Sequence, residues 1–252
     1  VKSVVCGGEF TIVVCSATPD TTQFTHPSEE MKEQKYNGES MEANDESTIN
    51  GGSAAIECLF AFGANTDGQL GIGSDVDQFT PQCISYFHSH HIPIYKIAAG
   101  DKHVFVIAED RTLYSWGDDS YSATGRECTI LLQSKKFTSI PTLVPWTFEN
   151  VLPEDVKCGS NFTVLIGAEI VTGRKGYVYS VGNNGWGQLG LGHTDTRTTF
   201  TLVESLVTQL QQCNGEIIMT ACGDSHTLLA LKHGQIHVPT CLLAFGRNDY
   251  AM

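Results

Sequence analysis

Tyr179-Ser180-Val181-Gly182-Asn183-Asn184-Gly185-Trp186-Gly187-Gln188-Leu189-Gly190 is an apolar run, a glycine, a polar turn and then Gly-Gln-Leu-Gly. The same order returns at Phe60-Ala61-Phe62-Gly63-Ala64-Asn65-Thr66-Asp67-Gly68-Gln69-Leu70-Gly71. Tyr114 to Gly125 is a degenerate copy that keeps Gly117 and Gly125, and Leu243-Ala244-Phe245-Gly246-Arg247-Asn248 begins a fourth. The turn glycines Gly63, Gly117, Gly182 and Gly246 lie 54, 65 and 64 residues apart. Self-similarity at such periods marks one supersecondary unit per repeat, and the unit is larger than a leucine-rich or ankyrin repeat.

A second segment precedes each of these. It reads Cys6-Gly7-Gly8-Glu9-Phe10-Thr11-Ile12-Val13, Ala99-Gly100-Asp101-Lys102-His103-Val104-Phe105-Val106, Cys158-Gly159-Ser160-Asn161-Phe162-Thr163-Val164-Leu165 and Cys222-Gly223-Asp224-Ser225-His226-Thr227-Leu228-Leu229. A small residue and Gly-x-x-(His or Phe) thus lead into short apolar runs. Such runs, punctuated by glycine turns, predict small antiparallel sheets of four strands. Gly63, Gly71, Gly117, Gly125, Gly182, Gly190 and Gly246 are the expected structural glycines of these turns.

The two segments in this order resemble the regulator of chromosome condensation repeat family. The resemblance covers most of residues 1–15 and 56–252 and implies an all-β fold, a β-propeller of four-stranded antiparallel blades. The family ring has seven blades. Four copies of each segment predict a single partial propeller domain over residues 1–252, an arc of about four blades. The first unit departs from the pattern: Gly7 and Gly63 stand 56 residues apart, where later units need 17 and 23. The excess, residues 16–55, carries eight acidic residues and two lysines and is expected to be an acidic, disordered insertion.

Composition narrows the chemistry. A net charge of −13 disfavours phosphate neutralisation, so no direct nucleic-acid binding is expected, and an acidic surface suits a basic protein partner. No apolar run is long enough for a membrane-spanning helix, so no membrane insertion is expected. Nine cysteines without a Cys-x-x-Cys pair fit neither a disulfide framework nor a zinc ribbon. Cys6, Cys158 and Cys222 share a repeat position and are expected to be buried thiols in a reducing compartment, cytoplasm or nucleus.

Several constellations imitate active sites. Gly185-Trp186-Gly187-Gln188-Leu189-Gly190 matches a dinucleotide fingerprint, but no helix is expected after it to face a pyrophosphate. His88, His90 and His91 sit close in sequence without a carboxylate or cysteine at ligand spacing, so a solvated loop and no metal are expected. Asp224, Ser225 and His226 mimic part of a hydrolase triad, yet adjacent residues of an extended segment face opposite ways. No catalytic residue and no cofactor are expected.

The Gly-x-x-His turns have two readings. His103 and His226 alternate with Phe10 and Phe162 at one repeat position, which fits a packing site near the channel mouth. The family resemblance implies instead that turn residues face a small GTPase, as in an exchange factor, and it points to Asp101, His103, Asp224 and His226 as partner-binding residues. The other role such propellers take is a non-catalytic scaffold or targeting domain of a larger protein, for example a HECT ubiquitin ligase or a trafficking regulator.

Overall fold

The protein is described by a computed structural model over residues 1–17, 56–126, 136–212, 214–234 and 241–248. Strand residues dominate. The first sheet is β1 (Ser3–Cys6), β2 (Phe10–Ala17), β3 (Ile56–Gly63) and β4 (Gln78–Ile84), hydrogen-bonded in that order. The second is β5 (Ile94–Ala99), β6 (His103–Ala108), β7 (Leu113–Asp118) and β8 (Phe137–Val144). The third is β9 (Val151–Cys158), β10 (Phe162–Glu169), β11 (Lys175–Gly182) and β12 (Arg197–Leu202). In the fourth, β13 (Gly215–Cys222), β14 (His226–His233) and β15 (Cys241–Gly246) make three strands among the described residues. Every pairing is antiparallel and sequential, so each sheet is an up-and-down blade. Of the expected insertion at 16–55, Ser16 and Ala17 end β2, and residues 18–55 lie outside the described residues.

The hydrophobic cores lie between blades. A strand alternates its side chains between two faces, and β6 is buried on both. Its Val104, Val106 and Ala108 join Phe10, Ile12, Val14, Leu59 and Ala61 of the first blade. Its Phe105 and Ile107 join Val156, Leu165, Tyr179 and Val181 of the third. Strand β10 repeats the division, with Leu165 turned to the second blade and Phe162, Val164 and Ile166 to the fourth. At the two end blades only one face is covered among the described residues. In β14, Thr227, Leu229 and Leu231 are buried while His226 is exposed and Leu228 and Ala230 are half-buried.

Apolar plugs seal the gaps between blades at the ends of the outer strands. Helix α1 (Ser85–Ser89) drives Phe87 against Tyr114, with ring centroids 5.4 Å apart, and against Trp116. Trp146 and Phe148 do the same between the second and third blades, where both pack on Tyr179. Helix α2 (Glu204–Gln212) places Leu206 and Leu210, four residues apart on one face, into the third core. The Arg174 guanidinium donates to the Leu210 carbonyl at 2.7 Å and so satisfies the end of α2. His88, expected in a loop with its neighbours, lies in α1. His90 follows the helix, stacks on Tyr86 at 4.5 Å and is exposed, as are His88 and His91.

The repeated glycines act in two ways. Gly182, at φ +109, lies so close to the preceding turn that a Cβ would stand 2.6 Å from the Asn161 carbonyl oxygen. Gly71 is approached by the Trp116 indole of the next blade, where a Cβ would stand 2.6 Å from Nε1. Phe245 covers Gly190 in the same manner. The third blade has the smaller Val181 at this position, and Phe200 of β12 covers Gly125 instead.

Trp116 is wholly buried and hydrogen-bonds the first blade through Nε1 to the Gln69 carbonyl at 2.9 Å. Trp116→Ala is therefore expected to cost about 3–5 kcal/mol in urea unfolding. Phe79→Ala, at a side chain 95% exposed, should change stability by less than about 0.5 kcal/mol.

Candidate functional site: the turn-bearing face

Each Gly-x-x-(His or Phe) turn lies at the same end of its blade as the loop that follows the third strand. The backbone joins them: Ala64 N donates to Glu9 O, Asp118 N to Lys102 O, Asn183 N to Asn161 O and Arg247 N to Ser225 O, at 2.8–2.9 Å. One face of the arc therefore gathers all the turns. Adjacent blades connect there too. Gly8 N donates to the Asp101 carbonyl at 3.1 Å, and Ser160 N donates to the Asp224 carbonyl at 3.2 Å. The Ser160 hydroxyl donates to the Asp101 carboxylate. Asp101, Ser160 and Asp224 are thus one hydrogen-bonded row across three blades. Asp101 and Asp224 are exposed, and Ser160 is half-buried.

His103 does not belong to that solvent-facing row. It is 1% exposed, and its Nε2 lies 2.9 Å from Thr163 Oγ1 on the next blade. Thr163 Oγ1 in turn donates to the Ala123 carbonyl of the second blade at 2.8 Å, so the His103 ring nitrogen is the donor. Burial pushes the imidazole down to about 4 against the pull of Asp118 and Asp101, which keeps the ring neutral and packed. The packing reading describes His103, and it leaves the solvent-facing set. His226 holds the equivalent position and is exposed, because no described sheet covers its face. With Leu228, Ala244, Phe245 and Arg247 it lines a concave surface of about 650 Å³.

The shared cysteine position follows the same logic of coverage. Cys158 Sγ lies 3.8 Å from Thr163 Oγ1, and burial raises that thiol. Burial raises Cys222 to about 12. Cys6, expected to be buried, is exposed instead, since no described sheet covers that side of the first blade. The seven described cysteines are free, and no group of three His, Cys, Asp or Glu with metal-binding geometry occurs among the described residues.

A buried polar hub holds this loop in each of the first three blades, and its role was not read from the sequence. Asn184 is fully buried. Its Oδ1 accepts from Leu189 N at 3.0 Å, and its Nδ2 donates to the carbonyls of His193 at 2.8 Å and Asp195 at 3.1 Å. Asn65 repeats the pattern with Leu70 N, Ser74 O and Val76 O. Gln188 and Gln69 fasten the loop tip by accepting from the amides of Trp186 and Asp67. In the second blade Asp119 stands in place of asparagine and accepts from Thr124. The available signal was an Asn or Asp two residues after every turn glycine. The dinucleotide-like Gly185–Gly190 is such a loop, and turn and loop residues rather than a helix come after it.

Against known proteins, the model of the regulator of chromosome condensation (RCC1) repeat matches residues 58–107 and 175–230, and a second model of that repeat matches 94–122. The chain is 28% identical over 194 residues to the probable E3 ubiquitin-protein ligase HERC6 of Homo sapiens, which covers 75% of this chain and 16% of that one. It is 33% identical over 127 residues to the X-linked retinitis pigmentosa GTPase regulator of Canis lupus familiaris, covering 49% of this chain and 11% of the relative. The chain thus spans a small part of the length of these relatives. Prp20p from Saccharomyces cerevisiae, described for its binding to Gsp1p and histones, is a structural neighbour with a TM-score of 0.53 at 24% identity. That match covers 66% of this chain and 37% of Prp20p. At that identity it shows the propeller fold.

The buried His103 sets a pH dependence. Its folded pKa lies below the unfolded value of 6.5, so the unfolded chain binds the extra proton between pH 6.5 and about 4. Stability is fully present above pH 6.5 and falls as pH drops through that window, by at most about 3 kcal/mol from this group. His103→Phe, the residue type of the first and third blades, is expected to lose less stability than the parent between pH 7.5 and 4.5 in urea titrations.

Proposed function

This chain is built from regulator of chromosome condensation repeats, and from that premise we propose that its turn-bearing face docks a protein partner in the manner of a guanine-nucleotide exchange factor acting on a small GTPase. The observation that carries the proposal is the hydrogen-bonded row Asp101–Ser160–Asp224, which crosses three blades on one face. A surface of this kind works without covalent catalysis. It shifts the partner toward the conformer that it binds best, the nucleotide-free one in an exchange factor. Net charge of −13 steers a basic partner face toward it. The GTPase regulator among the relatives supports a GTPase partner, and the binding of Gsp1p and histones by Prp20p supports a protein partner. The compartment that suits these roles and the free thiols is the cytoplasm or nucleus.

A second reading is favoured by the HERC6 likeness. There the matched stretch occupies 16% of a probable ubiquitin ligase, which fits a non-catalytic docking domain within a longer protein. Both readings use the same face and differ in the consequence of docking.

Release of labelled GDP from a panel of small GTPases by the full-length protein separates them. The exchange reading expects one GTPase to lose nucleotide at least tenfold faster. Asp224→Ala combined with His226→Ala should remove most of that gain while circular dichroism stays native. Absence of acceleration for every GTPase leaves the docking-domain reading. Unfolding of the double variant assigns these two residues to packing.

A further inference from the structure

The loop tips on the turn-bearing face carry a residue that neither the exchange nor the docking-domain reading uses. Counting from the buried hub residue, Asp67, Tyr121 and Trp186 occupy one repeat position, two residues after Asn65, Asp119 and Asn184. A tip of this kind leans toward the next blade. Asp67 pairs with Lys102 at 2.9 Å. Trp186 lies under the Arg247 guanidinium, 4.6 Å from its ring centroid. In the first blade, then, the position closes an ion pair within the protein. In the second and third blades it presents large aromatic side chains that remain 46% and 51% exposed.

Exposed Tyr and Trp on held loops are unlike scattered surface leucines. Their rings lose little conformational freedom when covered, and they are enriched among residues that dominate binding energy. The backbone beneath both is held in place. Trp186 N donates to Gln188 Oε1, and Asn184 fixes the loop from inside. Ser122 N, next to Tyr121, donates to the Asp119 carbonyl at 3.0 Å. Tyr121 belongs to the second blade and Trp186 to the third, the blades whose turns supply Asp101 and Ser160, and Asp224 follows on the fourth.

We propose that Tyr121 and Trp186 are the apolar anchors of the docking face, and that its partner is a protein segment presenting Lys or Arg beside apolar side chains. This rests on the docking of a protein partner at this face and adds the anchors and the partner's chemistry. The cationic groups meet Asp101 and Asp224, and the apolar side chains cover the two rings. Arg247 already shows that the Trp186 ring accepts a guanidinium on its face. Desolvation of the rings supplies residence time, whereas the carboxylates supply steering and salt dependence.

The probe is a dye-labelled, 16-residue synthetic peptide of alternating Arg and Leu pairs, with a Glu-for-Arg peptide as control, titrated by anisotropy against the full chain. Trp186 reports independently, because Trp116 is fully buried and Trp146 half-buried, so acrylamide quenches chiefly Trp186. The expected result is binding of the basic peptide, protection of Trp186 from acrylamide, and affinity losses of about tenfold for Tyr121→Ala and for Trp186→Ala with unchanged melting. Asp101→Asn with Asp224→Asn should flatten the salt dependence. Asp110→Asn, one charge fewer at the opposite end of the second blade, should leave affinity unchanged. Equal affinity for parent, Tyr121→Ala and Trp186→Ala overturns the proposal, as does an Asp110→Asn loss equal to theirs. If a GTPase exchanges its nucleotide while both aromatic variants act like the parent, the anchors fail and the exchange reading stands. If no GTPase responds but peptide binding depends on both rings, the anchors stand and the exchange reading fails.

Discussion

Each blade has two apolar faces, and the need to cover both of them governs the rest of the structure. Strand β6 shows it most fully, with Val104, Val106 and Ala108 committed to one neighbour and Phe105 and Ile107 to the other. A sheet with both faces apolar has no independent stability to speak of, since burial of apolar area is the main favourable term in folding. The blades are therefore stable as a stack. The plugs Phe87, Trp146 with Phe148, and Leu206 with Leu210 extend the same cores to the ends of the outer strands.

Close approach between blades dictates the polar details. Turns from neighbouring blades meet edge to edge, so Gly8 N reaches the Asp101 carbonyl and Ser160 N reaches the Asp224 carbonyl. A histidine at the turn position is then either sealed by the next blade, like His103, or left open, like His226. Burial of a neutral imidazole against a threonine hydroxyl serves as well as burial of a phenylalanine, which explains why the two residue types alternate there. The docking proposed for this face uses groups that the packing leaves exposed: the carboxylates of Asp101 and Asp224 and the rings of Tyr121 and Trp186.

Much of this was legible in the sequence because the repeat is written twice per unit. The period gave the blades, Gly-Gln-Leu-Gly gave the loops, and alternation of His103 and His226 with Phe10 and Phe162 gave a packing reading alongside the binding one. The features that escaped had physical reasons. Helix α1 spans five residues, too few for a helical period to show, and α2 announces itself only by Leu206 and Leu210. Exposure of Cys6 depends on coverage by a neighbouring sheet, which no local pattern encodes. The Asn65 and Asn184 hubs lay in plain view within the repeats. Their role emerges only when a buried side-chain amide is matched to the backbone groups that need it.

The claim that stability resides between blades is tested most directly by native-state hydrogen exchange of the four second strands, β2, β6, β10 and β14. Amides of β6 and β10, covered on both faces, should share one opening free energy and exchange slowest, while β2 and β14 should open at lower cost. Equal protection in all four strands would contradict the account, because it would mean that each blade holds itself together without its neighbours.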